Sequence, residues 1–442
     1  MTTDTLGWLG IVRLGLVQTS LGAIVVLTTS TLNRVMVVEL ALPATLPGAL
    51  VAMHYAVQSL RPRLGYGSDV TGRATPWIVG GMAVLSLGGL LASVATAWMA
   101  TSRGAGIALA VAAFLLIGLG VGAAGTSLLA LLARRVDESK RAAAATIVWL
   151  MMIAGIALTA GIAGGLLDPF SPARLVLVGG GVALCAFLLT VAAVWRVERG
   201  PARPTGERAA PAPFRAALAE AWSEPKARRF TIFVFVSMLA YSAQDLILEP
   251  FAGLVFGFTP GESTRLAGVQ HGGVLLGMIA VALAGSFGRG RMRSLPLWTV
   301  GGCLASAVMV AGLVCAGLGG PGWPLRANVF GLGVANGAFA VAAIGSMMAL
   351  AGQGRGGREG VRMGMWGAAQ AIAFGLGGFA GTVAADLAGR LVEPAGLAYG
   401  LVFAGQSLLF LIAAGLAAWV GRPDAAETMT AGTPIAAGLA SR

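Results

Sequence analysis

The stretch that decides the fold, Thr31–Trp77, reads TLNRVMVVELALPATLPGALVAMHYAVQSLRPRLGYGSDVTGRATPW. It contains two apolar runs, the first interrupted by the polar pair Asn33-Arg34 and the second carrying His54. A short loop with the spacing Gly-x-x-x-Asp-x-x-Gly-Arg follows at residues 65–73. Apolar runs that alternate with short basic loops are typical of helices that cross a membrane.

The composition places the rest of the chain in a bilayer as well. Of 442 residues, 57% are hydrophobic and 11% are charged, and the mean hydropathy is +0.83. Soluble domains carry about 25% charged residues, so a soluble surface is excluded. The sequence predicts an all-α integral membrane protein with twelve transmembrane helices, at residues 10–32, 44–60, 76–100, 105–132, 144–167, 173–195, 229–256, 265–287, 295–317, 325–352, 363–388 and 395–420.

The basic residues predict the orientation of these helices. Lys and Arg are retained on the cytoplasmic side of short loops, and here 24 of them fall on the side of the N-terminus and 6 on the other side. Both termini are therefore predicted to be cytoplasmic. The net charge of +12 indicates this topology and attraction to anionic membrane lipids, and no nucleic-acid partner is expected.

The chain is predicted to fold as two halves. Residues 1–195 and 229–420 would each form a six-helix bundle, joined by a polar cytoplasmic linker at 196–228. Part of the linker, 214–222, has the composition of a short amphipathic helix. The tail at 421–442 is rich in Ala, Thr and Pro and is expected to be flexible and cytoplasmic.

Several features of the first half recur in the same order in the second. This recurrence predicts a six-plus-six duplication with pseudo-symmetric halves, an organisation found in many transporters. The matched features are Asn33-Arg34…Glu39 with Gln244-Asp245…Glu249, His54 with His271, the loop at 65–73 with 287–291, and the loop at 134–141 with 355–362.

Charged and polar groups within the predicted spans form a candidate network. A charge in hydrocarbon is costly unless it has a partner. Arg34 and Glu39 are five residues apart and would not share an α-helical face, so each is expected to reach another helix or the interface. Asp245 and Glu249 are four apart and would share one face, where they could carry protons, cap helix ends, or pair with Arg34 or Arg265. The network comprises Asn33, Arg34, Glu39, Asp245 and Glu249.

The two histidines of the chain both lie within predicted spans. Neutral imidazole can serve as an axial ligand to the magnesium of a pigment, and it can equally hydrogen-bond to a neighbouring helix. Nearby glutamine amides could donate to pigment carbonyls or bridge helices. The candidate cargo-binding residues are His54, His271, Gln58, Gln244 and Gln270, and no other metal site is predicted.

The loop formed by Gly65, Asp69, Gly72 and Arg73 resembles the signature between the second and third spans of the major facilitator superfamily. Its glycines permit tight turns, and its charged side chains can pair at a cytoplasmic gate that opens as the halves rock. The alternative is that Asp69 and Arg73 only hold a short loop in place.

A narrower resemblance covers nearly the whole chain. The segments TLNRVMVVELALPATLPGALVAMHYAVQ and RPRLGYGSDVTGR, with QDLILEPFAGLVFG and HGGVLLGM in the second half, resemble the PucC/LhaA family, the bacteriochlorophyll-delivery branch of the major facilitator superfamily. The segment around His271 and the compact length favour the branch historically named as a bacteriochlorophyll synthase chain.

This resemblance implies a function in a bacterial photosynthetic inner membrane. The protein would deliver bacteriochlorophyll a or a precursor to light-harvesting antenna polypeptides, or chaperone assembly of an antenna or reaction-centre–antenna complex. Biosynthetic enzymes of bacteriochlorophyll are further expected partners.

No catalytic activity is expected. A prenyl-transferring synthase needs clustered carboxylates that hold the metal ions of its pyrophosphate substrate, and the acidic pair Asp137-Glu138 has no second cluster. A phosphate-binding glycine loop is also missing from the sequence. Two alternatives remain open: a proton-coupled secondary transporter of an amphipathic small molecule, and a non-catalytic partner of bacteriochlorophyll synthase.

Overall fold

The fold is known from a computed structural model, which describes residues 6–60, 73–137, 140–198, 222–287, 290, 294–352 and 359–420. Within these ranges all regular structure is helical. The helices are α1 Trp8–Glu39, α2 Thr45–Val57, α3 Thr75–Met99, α4 Arg103–Arg135, α5 Arg141–Leu167, α6 Pro172–Val194, α7 Pro225–Phe256, α8 Pro260–Phe287, α9 Leu295–Gly319, α10 Leu325–Gly352, α11 Glu359–Leu391 and α12 Ala395–Val420.

Each of the twelve predicted segments coincides with one of these helices. Eleven are long and apolar enough to cross a membrane, so the chain is a multi-pass membrane protein. The remaining helix, α2, continues as a 3₁₀ turn at Gln58–Leu60 and then reaches the end of a described range. Gly65, Asp69, Gly72, most of the predicted linker and the tail at 421–442 lie outside the described residues.

Helix α1 extends seven residues beyond its predicted end. The sequence predicts an end at residue 32, because the polar pair Asn33-Arg34 follows the apolar span there. Two π-helical segments, Leu27–Thr31 and Val35–Glu39, instead continue the helix. Such segments are wider than an α-helix and frequently occur at functional sites. The helix can continue here because Asn33 and Arg34 find partners inside the protein.

The helix packing repeats itself in the two halves. In the first half α3 packs on α4 and α6, α1 packs on α5 and α6, and α2 packs on α4. Adding six to each label gives the pairs of the second half: α9 packs on α10 and α12, α7 on α11 and α12, and α8 on α10. This correspondence confirms the predicted six-plus-six pseudo-symmetry.

The apolar core follows the same division. One cluster of buried side chains lies almost wholly in α1–α6, and a second lies in α7–α12. A smaller cluster crosses between the halves, where Val26 and Ile156 pack with Ala267 and Val274. The halves also meet where α5 packs on α8 and α2 packs on α11.

Glycines permit the closest of these contacts. Gly164 in α5 faces Gly261 in α8, and a Cβ on Gly164 would lie 2.6 Å from the carbonyl oxygen of Gly261. That distance is too short for any side chain, so the pair allows the two backbones to touch.

Polar contacts close one end of the bundle, which we call the distal face: the end at which the odd-numbered helices finish. There the Asp386 carboxylate of α11 accepts hydrogen bonds from the backbone N–H groups of Ala44 and Thr45 at 2.9 and 2.7 Å. Between α5 and α8, Arg265 of α8 pairs with Asp168, which directly follows α5, at 3.1 Å. Each contact joins the first half to the second.

Candidate functional site

The charged network predicted from the sequence assembles where α1 meets α7. Helix α7 is interrupted between Asp245, where its first part ends, and Leu248, where its second begins. The interruption leaves the carbonyl oxygen of Leu246 available as an acceptor, and Asn33 Nδ2 donates a hydrogen bond to it at 2.7 Å. Interrupted helices of this kind form binding sites at the repeat interface of transporters. We call Ser30, Asn33, Arg34, Glu39, Asp245 and Glu249 the junction cluster.

Arg34 and Glu39 form an ion pair, contrary to the expectation that they would not share a face. The expectation assumed α-helical geometry, but residues 35–39 are π-helical, and the N–H of Leu40 donates to the carbonyl oxygen of Val35 five residues earlier. That repeat brings residues five apart to the same side. Arg34 also donates to the carbonyl oxygen of Phe258 in the second half, so the expected contact with another part of the protein is present too.

Asp245 and Glu249 do not lie on one continuous helix, because the interruption of α7 falls between them. Glu249 is 3% exposed and its Oε1 accepts a hydrogen bond from the Ser30 hydroxyl of α1. Among the residues that the structure describes, its Oε2 has no hydrogen-bond partner. Asp245 is partly buried, and within the described residues neither a hydrogen bond nor an ion pair reaches it. Arg265, a predicted alternative partner, pairs with Asp168 instead.

Gln244 is held by a residue that the sequence reasoning missed. Gln406 of α12 donates through Nε2 to Gln244 Oε1 at 3.3 Å and to the carbonyl oxygen of Ala240 at 2.7 Å. Both glutamines are fully or nearly fully buried. These bonds fix α7 against α12, so Gln244 has a structural role that does not depend on bound cargo.

The two histidines differ in their hydrogen bonding. His54 is buried, and both of its ring nitrogens are occupied: Nδ1 bonds the carbonyl oxygen of Val51 and Nε2 bonds Gln58 Nε2, each at 2.9 Å. A carbonyl can only accept, so Nδ1 carries the proton and Nε2 is the acceptor for the Gln58 amide. In this arrangement neither nitrogen of His54 has a free lone pair.

His271 has the opposite arrangement. Its Nδ1 donates to the carbonyl oxygen of Ala267 at 2.9 Å, which leaves the lone pair on Nε2. Within the described residues Nε2 has no hydrogen-bond partner. The ring is only partly buried, so part of it borders space that protein does not fill. A backbone bond at one nitrogen and a free lone pair at the other is the usual state of a metal-binding histidine.

The position of His271 follows from its helix. It is four residues after Ala267 and three before Val274, so it shares the face of α8 that packs against the first half. The preceding residue, Gln270, is 4% exposed and its Nε2 has no partner in the described part of the chain. Gln270 is thus a second side chain of α8 with a nitrogen that the described residues leave without a hydrogen-bond partner.

The distal contacts of Asp386 and Asp168 were not predicted as functional. A signal was available for Asp386, since a carboxylate within an apolar span requires a partner.

Of the predicted gate loop, the structure describes Arg73, which is exposed just before α3. The gate hypothesis therefore stays a prediction.

The architecture defines the class of protein. It is similar to the crystal structure of a mutant of the nucleoside transporter NupG, with a TM-score of 0.65 and 13% sequence identity over 93% of this chain and all of that one. Together with the duplicated six-helix halves, this similarity identifies a membrane protein with the major facilitator superfamily fold. At this level of identity the similarity concerns the fold alone.

The chain belongs to the PUCC protein family, whose model matches residues 31–424. It is 56% identical to the bacteriochlorophyll synthase 44.5 kDa chain of Rhodobacter capsulatus, over 94% of this chain and 96% of that protein. It is also 30% identical to protein PucC of the same species, over 91% and 90% of the two chains. The resemblance seen in the sequence is thereby confirmed at the level of the family.

Proposed function

We propose that this protein handles bacteriochlorophyll in a photosynthetic membrane, delivering it to light-harvesting antenna complexes or chaperoning their assembly. The family membership supports this proposal, and so does the name of the relative from Rhodobacter capsulatus, which refers to bacteriochlorophyll. The pigment, bacteriochlorophyll a or a precursor, is cargo here and not a resident cofactor.

The observation that carries the proposal is the state of His271. The magnesium of a chlorin ring takes a neutral nitrogen ligand on one side of the ring plane, and the free Nε2 of His271 is of that kind. The preceding residue of α8, Gln270, has a buried amide that could donate to a pigment carbonyl. His54 fits less well, because Gln58 occupies its Nε2. We therefore assign His271 as the pigment ligand and His54 as a packing residue.

The proposed role is binding and transfer without catalysis. The chain lacks the paired acidic motifs that hold the metal ions of a prenyl pyrophosphate. A synthase name on a relative is then consistent with a non-catalytic partner of the enzyme. Antenna polypeptides, or a reaction-centre–antenna complex, are the proposed receivers of the pigment.

We place the protein in the bacterial inner membrane with both termini in the cytoplasm. The 24 to 6 distribution of basic residues supports this orientation. A reporter enzyme that is active only in the cytoplasm, fused after Arg442, is expected to be active, whereas a periplasm-dependent reporter at the same position is expected to be silent. The reverse pattern would contradict the orientation.

The test of function is an absorption spectrum of the gently solubilised protein, with co-purifying polypeptides identified by mass spectrometry. We expect bacteriochlorophyll absorption in the purified protein, together with antenna polypeptides or biosynthetic enzymes. Deletion of the gene is expected to lower antenna levels. Protein that carries neither pigment nor such partners, in a strain whose antenna is unaffected by the deletion, would overturn the proposal.

A further inference from the structure

The junction cluster contains more negative charge than its own cation can balance. Arg34 is the one cation among its six members, against the carboxylates of Glu39, Asp245 and Glu249. Arg34 is already paired with Glu39 and bonded to Phe258. The Nε of Arg34 has no hydrogen-bond partner among the described residues. If it turned towards Glu249, one guanidinium would be shared by two carboxylates, and the negative charge of Asp245 would remain uncompensated. Ionised carboxylates are not stable in a membrane interior without compensation.

The atoms left without partners in this cluster are mostly oxygens. Glu249 Oε2 and Asn33 Oδ1 are buried and accept no hydrogen bond from any described part of the chain, and their residues are 3% and 0% exposed. Asp245 is the last residue of the first part of α7 and precedes Leu246, whose carbonyl oxygen accepts a hydrogen bond from Asn33. Oxygens that can only accept are satisfied by a proton or by a hard cation.

These oxygens come from both halves of the molecule. Asn33 lies on the distal part of α1, and Asp245 and Glu249 flank the interruption of α7. The Ser30 hydroxyl of α1 already donates to Glu249 across the same contact. Interrupted helices at a repeat interface supply carboxylate and carbonyl oxygens to coupling ions in other membrane proteins of duplicated architecture.

We propose that Asp245, Glu249 and Asn33 form a binding site for one small monovalent cation, a proton or a sodium ion, at the contact between the two halves. The cation supplies the charge that Arg34 does not, and it joins oxygens of α1 and α7. A ligand held by both halves stabilises their contact, and by linkage that contact raises the affinity for the ligand.

Other ionisable groups near the site belong to several helices. Tyr241 lies one turn before Asp245 on α7, and Tyr55 of α2 faces it across Phe374, whose ring is 5.7 Å from Tyr241 and 5.8 Å from Tyr55. Helix α8 contributes His271, Arg265 and Glu262. Arg265 pairs with Asp168, and Glu262 lies beside Arg326 of α10. Helix α12 contributes Tyr399. The two arginines of this set, Arg265 and Arg326, are thus each already paired with a carboxylate.

The inference goes beyond pigment handling and does not depend on it. A His271 variant that loses pigment leaves the cation site intact, and a pigment-binding protein whose junction cluster binds no cation leaves the proposed function intact. The two proposals therefore fail separately.

The experiment is infrared spectroscopy of the purified protein in lipid nanodiscs at neutral pH, in buffer whose only salt is choline chloride. We expect the carbonyl band of a protonated carboxylic acid, and we expect Glu249→Gln or Asp245→Asn to remove it. Glu393→Gln is the matched control, because Glu393 is an exposed carboxylate at the distal face and its replacement is expected to leave the band unchanged.

Addition of sodium chloride separates the two cations. A band that persists in sodium identifies a proton site. Loss of the band, or a sodium-dependent rise in Tm that both variants lack, identifies a sodium site. Two independent variants are used because either one alone could fail to fold, which gel filtration reports. A wild-type protein with no acid band and no response of Tm to sodium, or a band that both folded variants retain, would overturn the proposal.

Discussion

Replacing His271 by alanine is expected to reduce the bacteriochlorophyll that co-purifies with the protein by about tenfold or more, the scale of effect seen when the coordination of a metal is disturbed. The imidazole has its Nδ1 proton bonded to the carbonyl oxygen of Ala267 and its Nε2 free, so alanine removes the ligand itself. The measurement is the pigment-to-protein absorbance ratio after gentle solubilisation.

Two controls make this experiment specific for ligation. His54→Ala removes the other histidine, whose Nε2 is occupied by Gln58, and is expected to leave the pigment ratio near that of the wild type. Imidazole added to His271→Ala is expected to restore part of the pigment, because the deleted side chain leaves room for it. Equal pigment in the two alanine variants would show that His271 is not the ligand.

Replacing Gly277 by valine is expected to disrupt the packing of α8 on α10. A Cβ at this position would lie 2.9 Å from the backbone nitrogen of Ala338 and nearer still to the carbonyl oxygen of Val334. These are backbone atoms of α10, so the helices have to separate. Overpacking of this kind costs about 1–3 kcal/mol and sometimes more. We expect a lower Tm in detergent and a lower yield of monodisperse protein.

The same helix offers a matched control for this substitution. Gly272 lies five residues earlier in α8, and a Cβ there meets no atom of the described residues within 4 Å. Gly272→Val adds the same side chain to the same helix and is expected to behave like the wild type. If both valine variants had the same Tm, close approach of α8 and α10 would not be the reason for glycine at position 277.

The membrane architecture could be predicted from the sequence because it depends on local composition. A run of about twenty apolar residues is sufficient to specify a membrane helix whatever its neighbours are. The twelve predicted segments therefore coincide with the twelve helices of the described residues, and the two halves repeat as the matched motifs indicated. The main error was at the end of α1, where Arg34 looked like a boundary although its charge is compensated inside the protein.

The candidate site was predictable in its members but only partly in their contacts. Charged residues such as Arg34 and Glu249 can be identified from the sequence because they lie within apolar segments. The pairing of Arg34 with Glu39 was missed because the sequence gives no sign of a π-helical segment. The bond from Gln58 to His54 is different, since the four-residue spacing within one helix was a readable signal.

Hydropathy by itself determined that this chain is a bundle of membrane helices, and the recurring motifs indicated that the bundle is duplicated. Only the tertiary structure decided which polar groups meet: Asp386 bonds the backbone of Thr45 across 341 residues of sequence, and Ser30 bonds Glu249 across 219. The reason is physical. Burial in lipid acts on each segment separately, whereas the partner of a buried polar group depends on which helices come close, and that is set by the shapes of the packed helix surfaces.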